Sequence, residues 1–127
     1  MKFAKLVYAG AGLYGLLVLF PQYFLETKTG VDYPPAITHA EYFYGFVGLG
    51  VVWQIAFLMI ASDPFRFRPL MPVTVLEKLS FGLAAIVLFL QHRIPLPAFA
   101  GGMFDLVLGA LFVAAYFKTP EQSFGGR

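Results

Sequence analysis

Four long apolar runs, at about 3–20, 40–61, 70–91 and 97–117, take up most of the 127 residues of this chain and constrain it more than any other feature. Each is near the length that a helix rising about 1.5 Å per residue needs to cross roughly 30 Å of hydrocarbon. They are continuous and rich in Leu, Ala and Gly, and too long for the alternating segments of about 10 residues that build a membrane barrel, so helices are expected. Composition agrees: 59% of residues are hydrophobic and 13% charged, against about 25% charged in soluble domains. Lys2 and Lys5 before the first run mimic the basic start of a secretory signal, but the run is too long for one and further spans follow. Every proline falls at or between expected helix ends, where a missing N–H costs little. The fold class is therefore all-α, an integral membrane four-helix bundle forming a single transmembrane domain over 1–127.

Basic residues near span ends set the orientation, because they resist transfer across the membrane. Lys2, Lys5, Arg66, Arg68, Lys118 and Arg127 fall on one side and only Lys28 and Arg93 on the other, which places both termini in the cytoplasm. The external connection Leu25 to His39 is the longest, and is the candidate lid or partner surface. Asp63-Pro64-Phe65-Arg66-Phe67-Arg68-Pro69 interleaves rings and guanidinium groups. Arg66 and Arg68, with Trp53 of the second run, are the expected interfacial anchors, held by headgroup phosphates and rings at headgroup depth. The tail Ser123 to Arg127 is expected to be mobile.

Polar groups inside the runs carry the sharper signal, since a charge near the bilayer centre costs about 2.5–3.5 kcal/mol. Asp105 stands mid-way along the fourth run between Gly101 and Gly109, whose small side chains let helices approach, as do Ala11 with Gly15 and Gly45 with Gly48. Glu77 shares a helix face with Ser80, Ala84, Leu88 and Gln91, which makes it the inward carboxyl. Lys78 diverges by about 100° from Glu77 and either pairs with a carboxylate or snorkels to the headgroups. With Gln54, these residues define a candidate ligand-binding level: Gln54, Glu77, Lys78, Ser80 and Asp105. The competing reading of the same level is a structural hydrogen-bond network.

Other chemistry is absent from the pattern. Cysteine is missing, which removes disulfides, thiolate metal sites and thiol redox chemistry. No metal site is expected; His39 and His92, the imidazoles such a site would use, lie in separate segments without short ligand spacing. Hydrolase, kinase and dinucleotide signatures are missing, so no catalytic residue is assigned. The nine basic residues are scattered, and no nucleic-acid partner is expected.

Tyr14-Gly15, Glu41-Tyr42-Phe43-Tyr44-Gly45-Phe46, the Asp63 to Pro69 stretch, Glu77-Lys78 and Asp105-Leu106-Val107-Leu108-Gly109 together resemble small bacterial four-helix membrane proteins of the DoxX-like family and its uncharacterised relatives. The resemblance implies a four-helix fold in the bacterial inner membrane and, through members linked to respiratory oxidases, a subunit rather than a cofactor-bearing chain. The expectation is a non-catalytic accessory or assembly subunit, partnered by membrane lipids and by another membrane protein or copies of itself. The alternative is a binder or enzyme for a small lipophilic molecule such as a lipid, sterol or quinone. No cofactor is expected beyond such a bound lipid or quinone.

Overall fold

A computed structural model of the chain describes residues 1–121; the Ser123 to Arg127 tail, with its expected mobility and the Arg127 charge, lies outside the described residues. The protein is all-α, with five α-helices and no strand among the described residues. They are α1 (Lys2–Leu19), α2 (Glu26–Asp32), α3 (Ala40–Ser62), α4 (Met71–Leu90) and α5 (Leu96–Lys118). The spans Lys2–Phe24, Ala40–Ser62, Arg68–Leu90 and Leu96–Lys118, each of 23 residues, are long and apolar enough to cross a membrane.

The ends of these helices follow from local chemistry. A 3-10 turn at Phe20–Phe24 carries Pro21 at its start, and another at Arg68–Leu70 carries Pro69. Pro72 and Pro97 lie in the first two positions of α4 and α5, where the proline nitrogen has no intrahelical bond to lose. The other end of α4 is closed by a Schellman motif. His92 takes the left-handed conformation at φ 58°, its N–H reaches Phe89 O at 3.0 Å, and Arg93 N–H reaches Leu88 O at 2.8 Å.

The chain divides into two compact units, one of Met1–Tyr8 with the chain from Ile60 onward, the other Ala9–Met59. In the first unit α4 and α5 pack closely. The buried residues of α4 are Met71, Thr74, Lys78, Gly82 and Ala85, and those of α5 include Gly102, Leu108, Gly109, Phe112 and Ala115. The three- and four-residue steps between them on α4 are those of a helix seam. Gly102 abuts the Ala85 methyl and Gly82 abuts Leu106, with no room for a β-carbon at either. Tyr8 stacks on Phe112 at a centroid distance of 4.3 Å and its hydroxyl lies 2.8 Å from Thr74 Oγ1. Because Thr74 spends its own proton on Met71 O at 2.6 Å, Tyr8 is the donor.

In the second unit, Gly50 of α3 accommodates Leu19 of α1, and Gly12 accommodates Leu58. The connection from 25 to 39 is not a plain loop, because α2 forms within it. Tyr44 donates to Glu26 Oε1 at 2.9 Å, and Lys28 and Asp32 pair across one turn at 2.7 Å. The hydrogen bond and then the charge of Asp32 hold the Lys28 ammonium above the usual lysine range; on so exposed a surface the pair adds little stability.

Candidate functional site

Of the polar level expected within the spans, three residues come together in the first unit. Lys78, Glu77 and Asp105 form one cluster on the α4 and α5 pair. Lys78 Nζ stands 3.4 Å from Asp105 Oδ1 and 3.6 Å from Glu77 Oε2. These are ion-pair distances, longer than those of good hydrogen bonds. The lysine side chain is the deepest of the three at 6% exposure, with Glu77 at 19% and Asp105 at 22%. Neither snorkelling of Lys78 nor an inward Glu77 with an outward lysine describes this arrangement. Lys78 lies in register with Thr74, Gly82 and Ala85 on the packed face of α4, and its β-carbon lies 3.3 Å from where a side chain on Gly109 would begin. The long lysine stem then lets the ammonium meet carboxylates on both sides, although Glu77 precedes it directly in sequence.

Glu77 Oε2 is buried and accepts no hydrogen bond among the described residues. Two carboxylates around one ammonium leave a formal charge of −1 on the cluster. Counted along the spans Arg68–Leu90 and Leu96–Lys118, Glu77 and Asp105 are each the tenth of 23 residues. This places the cluster near mid-span, where charge must be compensated by partners.

Ser80 does not join it. The Ser80 hydroxyl donates to the backbone carbonyl of Glu77 at 2.7 Å on the exposed side of α4, the side that also carries exposed Ala84. Gln54 belongs to the other unit. There it is buried at 2% exposure, its Nε2 donates to Gly50 O at 2.9 Å, and its amide fills the space that Gly15 leaves on α1. Trp53 is the fourteenth of the 23 residues of α3, nearer its middle than either end, with its ring 6.3 Å from Phe57.

Arg66 and Arg68 do lie at a span end. Arg66 is exposed, 5.4 Å from the Phe67 ring centroid. Arg68 Nε donates to the carbonyls of Tyr116 at 3.2 Å and Thr119 at 2.8 Å, capping the C-terminus of α5. Its guanidinium lies 3.9 Å from the Tyr116 ring centroid. His39 pairs with Glu41 at 3.2 Å and stacks on Tyr42, while His92 serves as the α4 cap; no group of three His, Asp or Glu among the described residues is arranged to hold a metal ion.

Tyr8 and Thr74 are not among the residues the sequence singles out, yet their buried hydrogen bond lies one helical turn from Lys78 on the same α4 face. The sequence does mark that face, though not the pairing: Thr74, Gly82 and Ala85 are small residues at seam spacing, and Lys78 falls among them. No family model, curated protein or solved structure shows significant similarity to the chain.

Proposed function

We propose that this chain is a non-catalytic, multi-pass protein of the bacterial inner membrane, with both termini cytoplasmic, acting as an accessory or assembly subunit of a larger membrane complex, a respiratory or other electron-transfer assembly being the kind the DoxX-like resemblance points toward. The observation that carries the reading is the partly exposed carboxylate pair of Glu77 and Asp105 at mid-span, with a formal charge of −1 around buried Lys78. Apolar lipid tails offer such groups neither a hydrogen bond nor a counter-charge. A neighbouring helix presenting a donor or a cation supplies both. The tight contacts at Gly82 and Gly102 favour a rigid packing surface over a roomy ligand crevice at this level.

One observation favours a second reading, a binder of a small lipophilic molecule. The Glu77 and Asp105 side chains stay 19% and 22% exposed beside Lys78, and the hydroxyl of a quinol or another lipid head group is a donor that suits them. Native mass measurement after gentle detergent extraction separates the two. The subunit reading expects the chain to leave the membrane with a second protein or with copies of itself. A stable lone monomer that retains a lipid or quinone mass contradicts it.

A further inference from the structure

Away from the charged cluster, the first unit carries an apolar groove of about 220 Å³ between the start of α4 and the end of α5, lined by Pro72, Val75, Val113, Tyr116 and Phe117. Phe117 stands 76% exposed at its rim. One end of this groove is basic. Tyr116, a lining residue, lies under the Arg68 guanidinium at 3.9 Å. Both described hydrogen bonds of Arg68 leave from Nε, so its two Nη groups donate to no acceptor among the described residues. Lys118, next to Phe117, is exposed with Nζ 4.3 Å from the Phe3 ring centroid. That contact brings the start of α1, with exposed Lys2 and Lys5, to the same end. The carboxylate of Asp63 is turned back onto the Arg66 backbone N–H at 3.2 Å, leaving the guanidinium groups of this segment for an outside anion.

We propose that one anionic phospholipid docks here, its phosphate on Arg68 and one acyl chain in the Pro72, Val75, Val113, Tyr116 and Phe117 groove, with Lys118 adding positive charge at the same helix end. Charge complementarity selects the occupant: an apolar helix fills the groove but brings no anion to its mouth, and a zwitterionic lipid brings an ammonium of its own that competes with the protein's cations for its phosphate. Arg68 is already held by Tyr116 and the α5 carbonyls, so its planar fork is oriented before the phosphate arrives. This differs from general anchoring by interfacial arginines, because it requires one retained lipid with a particular headgroup charge. It does not depend on the accessory role proposed above.

The test uses the full chain, delipidated in a mild nonionic detergent and titrated with phosphatidylglycerol, with phosphatidylcholine of the same acyl chains, or with inorganic phosphate. Native mass spectrometry and thermal melting are the readouts. The expected result is a single retained phosphatidylglycerol and a raised melting temperature, with phosphatidylcholine and inorganic phosphate each at least about tenfold weaker. Lys118→Gln is expected to weaken phosphatidylglycerol binding roughly fivefold, the worth of one cation near an anionic surface. Val113→Trp, which fills the groove and leaves Arg68 in place, is expected to abolish the retained lipid. Equal retention of phosphatidylglycerol and phosphatidylcholine by the unaltered chain overturns the proposal whatever the variants do. So does a folded Val113→Trp protein that keeps its lipid.

Discussion

Lys78 shows how a single residue sets the chemistry of a membrane helix. A lysine within a span is costly, yet here it stands beside Asp105 and Glu77 and shares its helix face with Thr74 and Gly82. Reading the face from Glu77, Ser80 and Ala84 selects the wrong side of α4, because in lipid apolarity does not distinguish inside from outside. Nor do small residues taken singly, since Ser80 and Ala84 are exposed; the longer series Thr74, Gly82 and Ala85, with Lys78 among them, marks where backbones meet. Hydrogen-bond partners such as Tyr8 with Thr74 were illegible for a different reason: they are 66 residues apart, and one sequence carries no sign of which distant residue will arrive. His92 offers a test at this scale. Its β-carbon in the left-handed region costs about 1 kcal/mol, which glycine does not incur. His92→Gly is therefore expected to stabilise the chain by about that amount, raising the melting temperature in detergent; an unchanged or lower melting temperature contradicts the capping role.

At the scale of elements, the four long helices were legible almost to the residue, since apolar length and proline placement leave few alternatives. The short α2 was not, because Glu26 to Asp32 has no apolar run to announce it. Its order comes from Tyr44 on Glu26 and from the Lys28 and Asp32 pair. Glycine spacing marked the right helix and, at Gly109, the right contact, with Lys78; at the other end of the helix it missed by one residue. Gly101 meets nothing within 4 Å, whereas Gly102 faces Ala85. These neighbours make a paired experiment. Gly102→Ala forces a methyl into the α4 and α5 contact and is expected to cost about 1–3 kcal/mol. Gly101→Ala enters open space in the same helix and is expected to be neutral or to stabilise by about 0.5–1 kcal/mol through the lower backbone entropy of alanine. Circular dichroism melting of the two variants checks both; equal destabilisation contradicts the assigned seam.

For the whole molecule, the arrangement of charge leads from structure to role. Basic residues gather at one set of helix ends, where Arg68 caps α5 and Lys118 covers Phe3. The acidic surplus sits at mid-span on α4 and α5. The first feature suits an anionic membrane surface, and the second calls for a partner within the membrane. Asp105→Leu removes one carboxylate and leaves Lys78 with Glu77 as a neutral pair 3.6 Å apart, so the chain itself should still fold. The direct measurement is native mass spectrometry of Asp105→Leu beside the unaltered chain, both extracted gently from the same membranes and both checked for helicity by circular dichroism. The expected result is an equally helical variant whose protein partner, or second copy, is lost. An equally helical variant that keeps its full assembly would contradict the claim that the carboxylate pair around Lys78 is where the chain engages its partner.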